Sequence, residues 1–273
     1  MSHWSSNPSG ISLAVHTKAV LSSEAGACYP RRSFFNFEPP RIAMTLEDYK
    51  KKRHFGISPE PSGKTSREKN QHPNLLYVVQ KHRATQLHYD FRLECYGTLL
   101  SWAVPKGPSL DPSVKRLAMQ VEDHPVEYAE FEGVIPEGEY GGGTVMVWDN
   151  GTWEPEVEDV HAAIQKGDLK FTLRGKKLKG SWVLVRTHGY GRSSGKSWLL
   201  IKHRDQYAST GEITLEEPRS ITSKRLLADI ARDGGGDVEK AATGDPQTKS
   251  PKKKLAPTVK SPPKSPKPRK RAT

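Results

Sequence analysis

The sequence predicts an all-β protein, a mainly antiparallel barrel or sandwich, on three observations. Eight short segments carry apolar alternation or β-branched and aromatic residues. Gly, Pro and Asn-Gly turn signals separate them at short intervals, and only one stretch between them has helical spacing. Leu75–His82 comes first, then Leu87–Leu93, which alternates strictly: Tyr89, Phe91 and Leu93 against His88, Asp90 and Arg92. Period-two alternation puts these sets on opposite strand faces. Further strands are expected at Leu99–Val104, Arg116–Val121, Thr144–Trp148, Lys170–Leu173, Ser181–Thr187 and Trp198–His203. Tyr96-Gly97, Pro105–Pro112, Gly141–Gly143, Asp149–Gly151, Gly175 and Gly189–Gly195 supply the turns.

Helices are few. Val160, Ala163 and Ile164 sit at helical spacing within Val157–Gly167. Leu46, Tyr49 and the basic run Lys50–Arg53 predict a helix opening near Met44, and 221–232 a short closing one. Residues 56–74 are Pro-, Gly-, Ser- and Asn-rich loop, and the chain beyond Gly234 is expected to be disordered. The organisation is therefore a poorly ordered extension over 1–43, a β domain over 44–207, an extension with a possible short helix over 208–243, and a Lys/Pro-rich tail over 244–273.

The 273 residues carry 43 Lys and Arg against 31 Asp and Glu, a formal net charge of +12. Nine of those charges lie in 244–273, two in 1–43 and one in the body between them. The tail, with Lys249-Ser-Pro-Lys-Lys-Lys254 and Ser265-Pro-Lys-Pro-Arg-Lys-Arg271, is thus the part that suits a polyanion without reading its sequence. A solubilising tail with no partner is the bland alternative. No apolar run reaches 18 residues, and the start lacks the order of a secretory signal, so a membrane partner is not expected. Cys28 and Cys95 are too few for a disulfide framework or a CxxC zinc site. These features describe a soluble, intracellular chain.

Chemistry concentrates in Lys81-His-Arg-Ala-Thr-Gln-Leu-His88-Tyr-Asp90-Phe-Arg92-Leu-Glu94. His88, Asp90 and Arg92 share a face, and His82 ends the preceding strand, one short turn away. Two imidazoles and a carboxylate suit a first-row divalent ion such as manganese or zinc, and a guanidinium beside it matches phosphate oxygens bidentately. A second cluster holds Arg116, Glu122, Asp123, His124 and Tyr128. Alternation places Arg116, Ala118, Gln120 and Glu122 on one face, with Leu117, Met119 and Val121 on the other. Against this, strand histidines are usually surface or satisfied core residues, Asp90–Arg92 could be a weak surface pair, and Glu122 and Asp123 simple turn residues. Asn150-Gly-Thr152 is read as a turn, Gly141–Gly143 as a hairpin, and Cys95 as core.

Gln80-Lys-His-Arg-Ala-Thr-Gln-Leu-His-Tyr-Asp-Phe-Arg-Leu-Glu94 resembles the 3′-phosphoesterase domain of bacterial DNA ligase D and its stand-alone relatives. So do Ser101-Trp-Ala-Val-Pro-Lys-Gly-Pro-Ser109, Val121-Glu-Asp-His-Pro125, Phe131–Gly141, Val147–Trp153 and Trp198-Leu-Leu-Ile-Lys202, over about residues 44–207. The resemblance implies a compact β-barrel with a phosphate-binding groove and a manganese-dependent activity (Zn2+ or Co2+ being alternatives). That activity removes a terminal ribonucleoside and then the 3′-phosphate from DNA or RNA–DNA ends in non-homologous end joining. Carried over by position, His82, His88 and Asp90 would hold the metal. Arg53, Arg92 and His124 would surround the scissile phosphate, with Tyr128, Arg116 and Glu122 supporting them and Glu60 at a functional acidic position. His124 would protonate the leaving oxygen or stabilise the transition state. One departure stands out: the family's Lys-Arg-Asp-Phe is Lys52-Arg53-His54-Phe55 here, which weakens the case for the diesterase step.

The expected partners are DNA or RNA–DNA 3′ ends, a separate ligase or polymerase and an end-binding protein. The expected state is a monomer, in the nucleoid or cytoplasm of a prokaryote or the nucleus of a eukaryote. The competing class is a catalytically weak DNA-end-binding or scaffold protein that uses the groove only to grip phosphate.

Overall fold

The computed structural model describes residues 45–63, 74–187 and 195–247. Strands β1 (Leu75–Arg83), β2 (Leu87–Cys95), β3 (Thr98–Val104) and β4 (Lys115–Pro125) form a meander, followed by β5 (Gly133–Ile135), β6 (Gly143–Pro155), β7 (Asp168–Gly175), β8 (Lys179–Arg186) and β9 (Ser197–Lys202). Hydrogen-bonded neighbours run β1-β2-β3-β4-β9-β8-β7-β6, and β6 pairs back onto β1, so eight antiparallel strands close into a barrel. Between barrel and sandwich, this closure decides for the barrel. The short β5 is an extra strand on β6.

The turn chemistry acts where its geometry is needed. Tyr96 and Gly97 both have positive φ, 51° and 81°, and join β2 to β3 as a two-residue hairpin of the kind that matches strand twist. Asp149–Gly151 is a correction. No turn forms there; β6 runs through it to Pro155, with a bulge at Trp148. Gly151 is needed instead because a Cβ would collide with the Arg174 carbonyl on β7. The expected helix at Val157–Gly167 forms as α2 (Val160–Lys166), capped by the Asp159 carboxylate and ended by Gly167 at φ 85°.

Inward-facing residues fill the barrel with aromatic rings. Trp102, Trp148, Trp153, Trp182 and Trp198 are all fully buried with Tyr77, Phe91 and Phe171, and Trp102 meets Trp198 edge-on at 5.9 Å. Cys95 belongs to this core, where burial pushes its thiol up to about 12. On the outside of β1, a second apolar cluster joins Val78 and Val147 to Tyr49, Leu99, Tyr128 and Ile221. It seats α1 (Leu46–Lys51) and the 3-10 turn Val126–Glu130 against the barrel wall.

Beyond β9, α3 (Ile213–Glu216), α4 (Leu227–Asp233) and α5 (Val238–Ala242) place Ile213, Leu227, Ile230, Ala231 and Ala241 in the barrel's own core cluster. Order therefore continues past Gly234, contrary to the compositional expectation. Ala241 is buried, and the Asp245 carboxylate accepts from the Leu227 and Ala228 amides at 3.0 Å. Polar composition hid these few anchoring contacts. The leader 1–43, the Gly189–Gly195 loop up to residue 194 and the basic tail from residue 248 lie outside the described residues. Among the described residues, no helix is long and apolar enough to cross a membrane.

Candidate active site

The site lies on the outer face of β1, β2 and β3, and strand register assembles it. His82 stands opposite His88, Gln80 opposite Asp90, and Arg92 opposite Ser101. The inward residues between them, Val79, Phe91 and Trp102, are core. Alternation thus delivers the row His88, Asp90, Arg92 as the sequence predicts.

The donor atoms of His82, His88 and Asp90 all lie within 4.8 Å of one another, the one such His/Cys/Asp/Glu group among the described residues. Each imidazole is held by its far nitrogen. His82 Nε2 lies 2.9 Å from the Gly141 carbonyl, and His88 Nδ1 lies 3.0 Å from the Gln86 carbonyl. An N–H donated to a carbonyl fixes the tautomer, so His82 Nδ1 and His88 Nε2 are the lone-pair nitrogens. Both face Asp90, each 3.6 Å from one of its carboxylate oxygens. Burial lowers the His82 pKa, favouring the neutral ligand form. Burial alone would raise Asp90, but its charged surroundings, the Arg92 guanidinium foremost, outweigh that and hold the carboxyl well below the usual range. Two imidazoles and a carboxylate, already turned to one point, fit a first-row divalent cation.

Arg92 links this group to the rest of the wall. It donates to Asp90 at 3.1 Å, to Gln80 Oε1 at 2.9 Å and to Ser101 Oγ at 2.9 Å, and lies 2.9 Å from His124 Nδ1. Gln80 in turn donates to the Tyr128 and Phe131 carbonyls, both at 2.9 Å, pinning the 3-10 turn beside the site.

A bulge brings His124 and Glu122 in. Ser101 pairs with Val121 but Leu99 with His124, so Glu122 and Asp123 together oppose Leu100. Without that extra residue, alternation would send His124 to the face of Ala118 and Gln120, which point into the barrel. The expectation that Arg116 and Glu122 share a face is therefore corrected. Glu122 lines the site cavity with Val121 and His124, while Asp123 lines a different one with Cys95 and Tyr96. Arg116 sits six residues upstream, roughly 20 Å along the strand. It reaches neither cavity wall nor metal group and pairs instead with Glu212 at 3.2 Å. Nor are Glu122 and Asp123 turn residues, since both belong to β4.

Arg53 comes from the chain after α1. Its guanidinium stacks on Tyr49 at 3.8 Å, binds Glu60 at 2.9 Å and Glu122 at 3.3 Å, and lies 3.2 Å from His124 Nε2. Glu60 is fully buried and also accepts from Tyr128 Oη at 3.0 Å and Ser58 Oγ at 2.7 Å. It faces Arg53 and Tyr128, so its place is to hold the arginine, not to meet a phosphate of its own charge sign. Lys52 donates to Glu122 at 3.0 Å. Burial, with Arg92 and Arg53 beside it, pushes His124 well below its ordinary value and keeps the ring neutral. Burial and Glu60 keep the Tyr128 phenol protonated.

Arg53, His82, His88, Asp90, Arg92, Glu122, His124 and Tyr128 line one cavity of about 170 Å³. Of the proposed set, only Arg116 and Glu60 stand outside it. Sequence reasoning missed Gln80, Ser101, Tyr49, Lys52, Tyr140 and Gly141. The first two share the outer strand face and were legible by alternation; the others come from separate segments that only the fold brings close.

Residues 80–186 match the family described as the DNA Ligase D 3′-phosphoesterase domain. The chain is 52% identical over 185 residues to the multifunctional non-homologous end joining protein LigD of Pseudomonas aeruginosa, covering 67% of this chain and 22% of that protein. It is 44% identical over 165 residues to the multifunctional non-homologous end joining DNA repair protein LigD of Mycobacterium tuberculosis, covering 60% and 20%. For the LigD protein of Mycolicibacterium smegmatis the identity is 39% over 170 residues, covering 60% and 21%. The chain spans about a fifth of the length of these relatives.

Proposed function

Because residues 80–186 form a DNA ligase D 3′-phosphoesterase domain, we propose that this chain is a metal-dependent hydrolase that heals 3′ ends in DNA break repair. Its substrates would be DNA or RNA–DNA ends carrying a 3′-phosphate or a terminal ribonucleotide. The observation that carries this is one cavity in which a preoriented His82–His88–Asp90 group adjoins two guanidiniums and a neutral imidazole.

Charge within the site supports a metal requirement. Lys52, Arg53 and Arg92 are matched by Glu60, Asp90 and Glu122, each pair within 3.3 Å. A neutral pocket gives a phosphate little net attraction until a divalent charge is added. Manganese held by His82, His88 and Asp90 would polarise a phosphoryl oxygen and acidify an attacking water. Arg92 and Arg53 are fixed by their carboxylate partners, so they meet developing charge on the remaining oxygens without reorganising. Neutral His124, which lies within 3.2 Å of both guanidiniums, suits transition-state stabilisation better than proton donation from the free site. Tyr128, protonated, donates its phenol proton to Glu60 and so braces the carboxylate that holds Arg53. No covalent nucleophile is needed.

The N-terminal segment reaches the site through Arg53, backed by Glu60. His54 is not among the cavity-lining residues and lies 3.1 Å from Glu139. The monoesterase step therefore rests on more of the described site than the diesterase step.

The test is phosphate release from a primer-template ending in a 3′-phosphate, with Mn2+, beside a primer ending in one ribonucleotide. His88→Ala should cut phosphate release by at least about 100-fold, the scale of losing one preorganised charge-stabilising group, and lower bound metal. Wild-type release with full metal content in that variant would overturn the assignment. Robust end binding with no turnover in the wild type would mark the chain as an end-binding protein. The basic tail adds a second site of attraction: deleting 248–273, which spares the Asp245 anchor, should weaken DNA binding and flatten its salt dependence, leaving turnover on a short oligonucleotide intact.

A further inference from the structure

The site cavity has one exposed aromatic wall. Tyr140 is 49% exposed, whereas Tyr128, the other ring lining the cavity, is buried. Tyr140 adjoins the charge network through Lys52 and Arg53 rather than through Arg92 or His124. Its ring lies under the Lys52 ammonium at 4.7 Å and the Arg53 guanidinium at 5.4 Å, and Lys52 also donates to its hydroxyl at 3.3 Å.

The ring is presented by a rigid segment. The β5–β6 connection takes positive φ at Gly138, Gly141 and Gly143, and the Gly142 amide donates to the Glu139 carbonyl at 2.9 Å. A Cβ on Gly142 would fall 2.7 Å from the Pro136 carbonyl, so the turn has no slack. The residues flanking Tyr140 in sequence are both tied down: Glu139 to His54, and Gly141 to His82. The residue that presents the aromatic surface is thus one peptide away from the carbonyl that orients a candidate metal ligand.

We propose that Tyr140 is the platform on which the base of the terminal nucleotide stacks, making the cavity and its rim a phosphate-plus-nucleoside site. The proposal rests on the reading that the cavity takes a 3′-terminal phosphate. An aromatic face accepts any base, because each has a π surface, and the neighbouring cations strengthen the contact. The platform selects for a terminus that carries a base and is indifferent to which base it is. An end that has lost its base would lose this contact and keep the phosphate contacts.

Binding of three oligonucleotides of one sequence, measured with Mn2+ by fluorescence anisotropy, tests this without turnover. The first ends in a base-bearing nucleotide with a non-hydrolysable 3′-phosphonomethyl group, the second in an abasic site with the same group, the third in a base with a 3′-hydroxyl. The wild type should bind the first about tenfold more tightly than the second, the scale of one stacked base. Tyr140→Ala should bind the two equally, Tyr140→Phe should keep the preference, and all three proteins should prefer the phosphonate to the hydroxyl. Equal wild-type affinity for the first two, or an unchanged preference in Tyr140→Ala, overturns the platform while the phosphate reading stands. Equal affinity for phosphonate and hydroxyl ends overturns the phosphate reading and the platform with it.

Discussion

Neighbouring residues on β2 serve two different regions of the molecule. Phe91 and Leu93 point into a barrel packed with five buried tryptophans; Asp90 and Arg92 point outward into a layer where charged groups hold one another. The interior draws its stability from apolar area and close packing, and tolerates almost any polar group badly. The outer layer is also buried, yet it is built from ion pairs and hydrogen bonds, an arrangement that adds little net stability. What the layer supplies is position. The same strands can therefore be damaged in two separable ways, and the separation can be tested.

The largest expected effect is on the inner face. Phe91→Ala removes a ring packed against Tyr77 and Phe171 and should cost about 3–5 kcal/mol, measured by urea denaturation. At low denaturant, phosphate release per folded molecule should stay within about twofold of wild type, because Asp90 and Arg92 are set by their own partners. A hundredfold loss in well-folded protein would break the separation of the two faces.

How far the sequence reveals each region follows from the same contrast. The inner face was legible because alternation along Leu87–Leu93 depends only on local sequence, and the outer row His88, Asp90, Arg92 came with it. Asp149–Gly151 misled because a glycine required for close approach to β7 has the composition of a turn. Arg116 misled for a related reason: strict alternation cannot foresee an inserted residue, and the bulge opposite Leu100 separates Arg116 from Glu122 and His124. Gly141 was legible as a hairpin glycine but not as the partner of His82, since nothing local to residue 141 encodes a contact 59 positions away. Glu60 was marked out only by the family resemblance, and its place as the buttress of Arg53 depends on a fold that seats both beside β4.

A smaller effect sharpens the comparison at the bulge itself, where two adjacent carboxylates face different ways. For Glu122, burial raises the pKa but its backbone hydrogen bond, Lys52 and Arg53 overcome that, so it sits below its ordinary value. Asp123 has burial, Asp48 and Glu122 against it and is pushed up to about 7. The signs are opposite. Glu122 contributes stability above the unfolded carboxyl pKa that is lost as pH falls through its lowered folded value. Asp123 keeps its proton in the folded state between about pH 4 and 7, so stability declines as pH rises through that window and is flat above it. Asp123→Asn should therefore stabilise by about 1–3 kcal/mol at pH 8 and change little at pH 4, read from thermal melts at both. Equal gains at the two pH values would show that Asp123 is not held protonated.

The smallest effect concerns the residue that sequence alignment of faces put in the wrong place. Arg116 shares the inward-pointing face with Ala118 and Gln120, and its guanidinium pairs with Glu212, an acid more than half exposed. An ion pair of that kind is worth at most about 1 kcal/mol, and removing it leaves no buried carboxylate unmatched. Arg116→Ala should then lower stability by under about 1 kcal/mol and leave the KM and kcat for 3′-phosphate release within about twofold. Arg53→Ala makes the contrast, since it removes a buried cation from between Glu60, Glu122 and His124 and should depress kcat sharply. If Arg116→Ala matched Arg53→Ala in kcat, a substrate path along β4 toward Glu212 would have to be added to the cavity, and the outer face would no longer hold the whole site.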